Sequence, residues 1–159
     1  MTGKKRQVAT SPAQRYDDED IGRVTRNFIR AVDHYRQRHA EKTGTGVTEL
    51  LAMGHLYHEG DLSPTELAER LDLTTGSVTA LVNRLVKAGH VERHAHPEDR
   101  RRLVITLTRP GTRIIAGLFS GLRDATAGAL DGATPRHRRA IAEFVEATTA
   151  NLNGVTGRV

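Results

Sequence analysis

Two adjacent helix signals, followed by an alternating apolar segment, constrain the fold of this chain more than any other feature. Ser63-Pro64-Thr65-Glu66 fits a capping box with proline at the first helical position, which predicts a short helix through Leu71. Thr74-Thr75 predicts the cap of a second helix that Gly89 ends. Its apolar residues recur at helical spacing and are Val78, Leu81, Val82, Leu85 and Val86. Because only Asp72-Leu73-Thr74 separates the two helices, the sequence predicts a helix-turn-helix.

Beyond Gly89 the apolar pattern changes to a period of two, which is typical of a strand. Leu103, Ile105 and Leu107 alternate with Val104 and Thr106, and residues 91–94 supply an antiparallel partner. The turn between them, residues 96–102, ends in three arginines. We therefore expect a mainly α fold with a small β-hairpin wing, that is, a winged helix-turn-helix.

The segments on either side of this unit are also predicted to be helical, because their apolar residues recur every three or four positions. Acidic residues at 17–20 precede an apolar stripe that includes Val24 and Phe28, and a later helix that starts at Thr134-Pro135 carries Phe144 and Val145. Between these two segments, one further helical stripe consists of Ile114, Ile115, Leu118, Leu122 and Ala125. These stripes lack a large partner nearby in the sequence, so we expect the N- and C-terminal helices to form a dimerisation lobe with a second copy. The predicted division is a flexible basic tail at 1–16, an N-terminal dimerisation helix at 17–45, a winged helix-turn-helix DNA-binding domain at 46–109 and C-terminal dimerisation helices at 110–159.

Charge and composition narrow the classes of function. The chain has 24 Lys plus Arg against 19 Asp plus Glu, a formal net charge of +5 that favours a polyanionic partner. No apolar run approaches the roughly 18–20 residues that cross a bilayer, and no apolar signal core follows the N-terminal basic residues, so a cytoplasmic protein is expected. The absence of cysteine excludes disulfides, thiolate zinc sites and thiol redox sensing within this chain.

Motifs of enzymes and metal sites are missing from the sequence. There is no phosphate-cradling glycine loop, nucleophile elbow, HExxH pair or cysteine nucleophile, so we predict neither catalysis nor a cofactor. His55 and His58 lie one helical turn apart, and His34 and His39 stand near the end of the first helix. Because no carboxylate–histidine cluster with a recognisable ligand spacing accompanies them, exposed or hydrogen-bonded histidines are the preferred interpretation and no metal site is predicted.

The outer face of the second helix of the pair carries the predicted chemistry. Gly76, Ala80, Asn83 and Lys87 lie opposite the apolar face, and small or hydroxyl-bearing residues let a helix approach base edges closely. A solvated face is the alternative, but the capped helix before it and the basic hairpin after it favour DNA. The predicted DNA-contacting residues are Thr65, Thr74, Thr75, Ser77, Thr79, Ala80, Asn83, Arg84, Lys87, Asp99, Arg100, Arg101 and Arg102.

Within the wing, residues 99–102 form a compact positive cluster with one carboxylate. An arginine at a hairpin tip can enter the narrow minor groove, and a neighbouring carboxylate can orient its guanidinium. We predict this arrangement for Arg101 with Asp99. We expect Arg100 and Arg102 to contact phosphates.

The sequence resembles the MarR family over residues 47–111. The resemblance rests on Ser63-Pro64-Thr65-Glu66-Leu67-Ala68, Gly76-Ser77-Val78-Thr79, Leu81-Val82-Asn83-Arg84-Leu85, Gly89-His90-Val91-Glu92-Arg93, Asp99-Arg100-Arg101 and Leu107-Thr108 with Gly111. It implies a homodimeric regulator, by default a repressor, that binds a palindromic operator and inserts its wing into the minor groove. Ala80 stands where many relatives carry arginine, so an arginine contact to guanine from this position is absent.

The resemblance also implies a small aromatic or anionic effector between the dimer lobe and the DNA-binding lobe. His34, Arg38, His55 and His58 are the candidate effector ligands. The alternative is a regulator without an effector, or one whose effector binds elsewhere. A further alternative is an architectural or protein-interaction winged helix without an effector, since the fold does not fix the function.

Overall fold

The structure, a computed structural model, describes residues 16–96 and 102–156. These ranges hold helices and one hairpin in the order α1 (Asp18–Thr43), α2 (Val47–Glu59), α3 (Pro64–Leu71), α4 (Thr75–Lys87), β1 (Val91–Ala95), β2 (Leu103–Leu107), α5 (Arg109–Ala129) and α6 (Pro135–Thr156). The mainly α fold with a β-hairpin wing is confirmed. The contacts divide the chain into two units, Met1–Leu51 and Ala52–Val159, and α2 begins in the first and ends in the second.

Within the first unit, α1 begins where the acidic run predicts. Asp17 caps the helix, because its Oδ1 accepts a hydrogen bond of 2.8 Å from the backbone N–H of Asp20. The carboxylates of the first turn complement the partial positive charge of the helix N-terminus. At the other end Gly44 adopts φ +67° and ends the helix in the left-handed conformation. The apolar stripe of α1 is largely exposed, with Phe28 at 63%.

In the second unit, α3 and α4 form the predicted helix-turn-helix. Both bonds of the capping box on α3 are present, from the Ser63 N–H to Glu66 Oε2 (2.8 Å) and from the Glu66 N–H to Ser63 Oγ (3.2 Å). Thr74 caps α4 by accepting from the Ser77 N–H at 3.3 Å. The buried residues of α4 are Val78, Leu81, Val82 and Leu85. Val86, the last residue of the apolar set, is 39% exposed because its position turns toward the edge of the apolar face.

The hairpin is confirmed, with an antiparallel register that runs from Val91 opposite Leu107 to Ala95 opposite Leu103. Its burial is not the predicted alternation, because Leu103 is 41% exposed whereas Val104 and Ile105 are both buried. Helices α3 and α5 both contact β2, and the adjacent residues Val104 and Ile105 point to opposite faces of the strand, so each face has a buried side chain. The backbone of Ile105 also pairs with Leu62 through hydrogen bonds of 2.8 and 3.3 Å. A single bridge residue such as Leu62 has no periodicity from which it could be predicted.

Helix α5 joins the wing to the C-terminal part of the second unit. Thr108 caps it by accepting from the Gly111 N–H at 3.2 Å, and Ile115 and Leu118 of the predicted stripe are buried. Ala125, assigned to the same stripe, is exposed. The apolar residues of α6 are exposed as well, with Phe144 at 47%. Among the described helices, none has the length and apolar character that a membrane span requires.

Candidate nucleic-acid interface

The outer face of α4 is open, as the sequence predicts. Gly76, Ala80, Asn83 and Lys87 are exposed, whereas Val78 and Leu85 on the opposite face are fully buried. Ser77, Thr79 and Arg84 flank this face and are exposed too. An exposed helix face with small residues near its N-terminus has the shape that fits a DNA major groove.

The hydroxyl groups at the start of α4 are held by local hydrogen bonds. Thr74 Oγ1 lies 2.9 Å from Ser77 Oγ, and the Thr79 hydroxyl donates to the Thr75 carbonyl at 2.8 Å. Since Thr79 uses its hydroxyl proton within the helix, it presents acceptor lone pairs and a methyl group to an incoming molecule. These groups suit a base amine or a thymine methyl.

Arg93 contacts this face from the wing. Its Nη2 donates to Asn83 Oδ1 at 2.7 Å and joins β1 to α4. Arg93 was not among the DNA-contacting residues predicted from the sequence. The available signal was the two-residue period of β1, which places Arg93 on the same side as the buried Val91 and therefore toward α4.

The start of α3 borders a cleft of about 320 Å³. Ser63, Thr65 and Glu66 line it from α3, and Arg102 and Leu103 line it from the hairpin. Hydrogen bonds from the Ser63 side chain and backbone hold the pKa of the Glu66 carboxyl below its ordinary value, and the charges of Arg102 and Arg70 act in the same direction. Thr65 is exposed beside a helix N-terminus, where a phosphate is favoured.

Of the predicted wing residues 99–102, the structure describes Arg102. Arg102 is exposed, and its carbonyl accepts from the His96 N–H at 2.8 Å, so the hairpin pairing continues one step past β1 and β2. Asp99, Arg100 and Arg101 lie outside the described residues. The pairing of Asp99 with Arg101 therefore stays a prediction.

The candidate effector ligands are distributed over both units. His34 and Arg38 lie exposed on α1 in the first unit. In the second unit, His55 Nδ1 lies 2.8 Å from Glu59 Oε1, and Arg70 Nε donates to Glu59 Oε2 at 2.8 Å. The hydrogen bonds from His55 and from Arg70 hold the pKa of the Glu59 carboxyl below its ordinary value. The Glu59 carboxylate thus links α2 to α3, a contact that the sequence did not predict.

His58 belongs to a small aromatic cluster in the second unit. Its ring centroid lies 4.6 Å from that of Phe119 in an edge-on arrangement, and Tyr57 packs against the same phenyl ring at 5.7 Å. Such a cluster offers ring faces and edges to an apolar or aromatic molecule. Within residues 16–96 and 102–156, no group of three or more histidine and acidic side chains gathers closely enough to hold a metal ion.

Comparison with known proteins shows that the part of the chain that forms this interface is similar to one protein family. A model of the MarR family matches residues 43–102, which span α2, α3, α4 and β1. The uncharacterized HTH-type transcriptional regulator YcgE of Bacillus subtilis is 40% identical over 92 residues, which cover 58% of this chain and 60% of YcgE. The HTH-type transcriptional repressor YetL of the same organism is 46% identical over 50 residues, or 31% of this chain and 30% of YetL.

A solved structure extends the similarity of fold. A MarR family protein from Bacillus stearothermophilus superimposes with a TM-score of 0.73 at 18% identity, covering 85% of this chain and 94% of that protein. At that identity the likeness concerns the fold alone. The matched regions span 60% of the length of YcgE and 30% of the length of YetL.

Proposed function

We propose that this chain, whose residues 43–102 match a model of the MarR family, is a sequence-specific DNA-binding transcription regulator. The observation that carries the proposal is the exposed face of α4. This face consists of small and hydrogen-bonding residues, whereas the opposite face is apolar and buried. The helix-turn-helix holds this face beside a hairpin whose second strand follows an arginine cluster. The net charge of +5 favours a polyanionic partner.

The proposed assembly is a homodimer through the first and last two helices. The exposed apolar side chains on α1 and α6, among them Val24, Phe28, Phe144 and Val145, support it. A two-fold dimer presents two copies of α4, so the proposed operator is a palindrome with half-sites about one helical turn apart, roughly 10 bp. Binding to chromosomal DNA would place the protein in the cytoplasm.

We propose repression as the outcome of binding, in analogy with YetL, which carries the name of a repressor. Release by a small aromatic or anionic effector completes this proposal. Its support within the second unit is the aromatic cluster of Tyr57, His58 and Phe119, against which a planar ligand can stack. His34 and Arg38, and separately His55 and His58, are the candidate ligands.

The decisive experiment is selection of bound DNA from a random pool, followed by footprinting on the selected sequence. A palindromic consensus with two protected half-sites is the expected result. Recovery of no consensus would favour the alternative, an architectural or protein-interaction winged helix without an effector.

Effector response is measured in a separate experiment, as release of labelled operator by a panel of small aromatic carboxylates. The test variant is His58→Ala, and His137→Ala on α6 is its histidine control.

A further inference from the structure

The proposed function leaves open what the face of α4 reads, and the contact between Arg93 and Asn83 bears on this question. We propose that Arg93 is a positioning residue that fixes the amide of Asn83, so that α4 offers a pair of N–H donors to the DNA bases at this position. The inference rests on the proposed function and identifies a determinant of its base specificity.

The orientation of the Asn83 amide follows from the chemistry of its partner. A guanidinium has N–H donors and no acceptor, so only the oxygen of the amide can face it. Arg93 Nη2 and Asn83 Oδ1 are 2.7 Å apart, a short hydrogen bond of the charge-assisted kind. The amide nitrogen with its two hydrogens is therefore the end of Asn83 that turns away from Arg93.

Arg93 is held in place by the packing of the hairpin. Its register partner on β2 is Ile105, which is fully buried, and Val91 two residues earlier is buried as well. The side chain of Arg93 borders a cleft of about 240 Å³ together with Pro64, Thr79, Val82 and Leu103. Arg93 remains exposed, but its stem borders this cleft and its guanidinium bonds to Asn83, and both contacts restrict its rotamers and favour an orientation toward α4.

This arrangement predicts which base edges Asn83 recognises. A free asparagine pairs with adenine by accepting from N6 and donating to N7 at the same time, which requires both ends of the amide. When the guanidinium holds the oxygen, the two N–H donors suit guanine, whose N7 and O6 are adjacent acceptors, or thymine O4, better than adenine, whose N7 acceptor stands beside the N6 donor. Arg93 thereby shifts Asn83 from an adenine reader to a reader of guanine or thymine.

Selection from a random DNA pool tests the inference when it is applied to the wild type, Asn83→Ala, Arg93→Ala and the double variant. We expect one base position in each half-site of the wild-type consensus to prefer guanine or thymine, and Asn83→Ala to lose that preference by at least about fivefold. Arg93→Ala should lose it at the same position and leave the other positions unchanged. The double variant should lose no more than either single variant, because the two residues act as one unit.

Arg123→Ala on α5 is the matched control, since it removes the same charge from an exposed residue of the second unit. If Arg93→Ala kept the base preference and lost only as much affinity as Arg123→Ala, Arg93 would be a general positive charge and the inference would be overturned. If the wild type itself selected no consensus, the proposed function would fail, a result distinct from the failure of this inference alone.

Asn83→Asp gives a second test that does not alter the hairpin. The variant keeps an oxygen for Arg93 and replaces the two outward hydrogens by an acceptor. The preference at the same position should change to cytosine or adenine, whose exocyclic amines donate in the major groove. An unchanged preference for guanine or thymine in Asn83→Asp would show that the Asn83 amide is not what reads the base.

Discussion

Gly111 at the start of α5 lies directly against the carbonyl oxygen of His90, so close that a β-carbon on residue 111 would collide with this backbone atom. The same carbonyl accepts from the Thr108 N–H at 3.1 Å, and the Thr108 hydroxyl donates to the carbonyl of Gly89 at 2.7 Å. These contacts fasten the first turn of α5 to the end of the helix-turn-helix. Any side chain at residue 111 would therefore collide with the backbone of His90, which lies far from it in the sequence.

Gly111→Ala is expected to destabilise the second unit by about 1–3 kcal/mol, because relief of the collision requires the backbone to move. Urea unfolding followed by circular dichroism measures the change. Gly128→Ala in the same helix is the control, since a methyl group there would meet no atom of the described residues within 4 Å and the change should be neutral or slightly stabilising. Equal midpoints for Gly111→Ala and the wild type would contradict the close approach to His90.

Ser63→Ala removes one of the two bonds of the capping box on α3 and should cost about 1 kcal/mol of unfolding free energy. Ser63→Thr retains the hydroxyl and should remain within a few tenths of a kcal/mol of the wild type. Thermal unfolding of the three proteins at one concentration provides the comparison. Identical melting temperatures would mean that the hydrogen bond from the Glu66 N–H to Ser63 Oγ contributes nothing to stability.

The Glu59 carboxylate should make stability depend on acid pH. Its pKa lies below the ordinary value of 4.5 in the folded protein, so the folded state binds this proton less readily than the unfolded state. The stabilisation is fully present above pH 4.5 and is lost as the pH falls through the lower folded pKa. Glu59→Gln should therefore be less stable than the wild type at neutral pH, with the difference vanishing in acid. A difference that stayed constant from neutral pH to about pH 3 would exclude this ionisation as its source.

The spacing of the half-sites tests the proposed dimer. Insertion of about 5 bp, half a helical turn, between the half-sites of the selected operator rotates them onto opposite faces of the DNA and should abolish tight binding. Insertion of about 10 bp restores the face but places the half-sites about two turns apart, so a dimer that spans one turn should lose tight binding there as well. Gel shift assays at fixed salt measure both. Unchanged affinity after the half-turn insertion, or a monomer in sedimentation at micromolar concentration, would contradict symmetric docking.

The variant Asp99→Ala distinguishes between two models of the wing. In one, Asp99 orients Arg101, and in the other the wing is a nonspecific basic patch. If Asp99 orients Arg101 in the minor groove, the variant should bind its operator more weakly although a negative charge has been removed. Arg101→Ala should also reduce discrimination for A·T-rich flanks, whereas Arg100→Ala should weaken binding to all sequences and lower the salt dependence by about one ion. Tighter operator binding by Asp99→Ala would reduce the wing to a nonspecific positive surface.

The sequence alone determined the features that depend on neighbours within a few residues. The caps at Ser63 and Thr74, the apolar face of α4 and the presence of the hairpin each arise from hydrogen bonds or periodicities that a short segment encodes. The resemblance of residues 47–111 to a family came from the same short motifs. Exposure of Gly76, Ala80, Asn83 and Lys87 followed directly, because a helix with one buried face must present the other to solvent.

Only the tertiary structure decided the contacts between residues that are distant in sequence. Arg93 reaches Asn83 across 10 residues, Arg70 reaches Glu59 across 11, and Leu62 pairs with Ile105. The burial of Val104 and the exposure of Leu103 likewise depend on which helices cover β2. Periodicity specifies which side of an element is apolar, but not which element packs against it or which polar side chains then meet. Those pairings are set by the packing of the whole unit, in which each long-range contact forms only when the others position its partners.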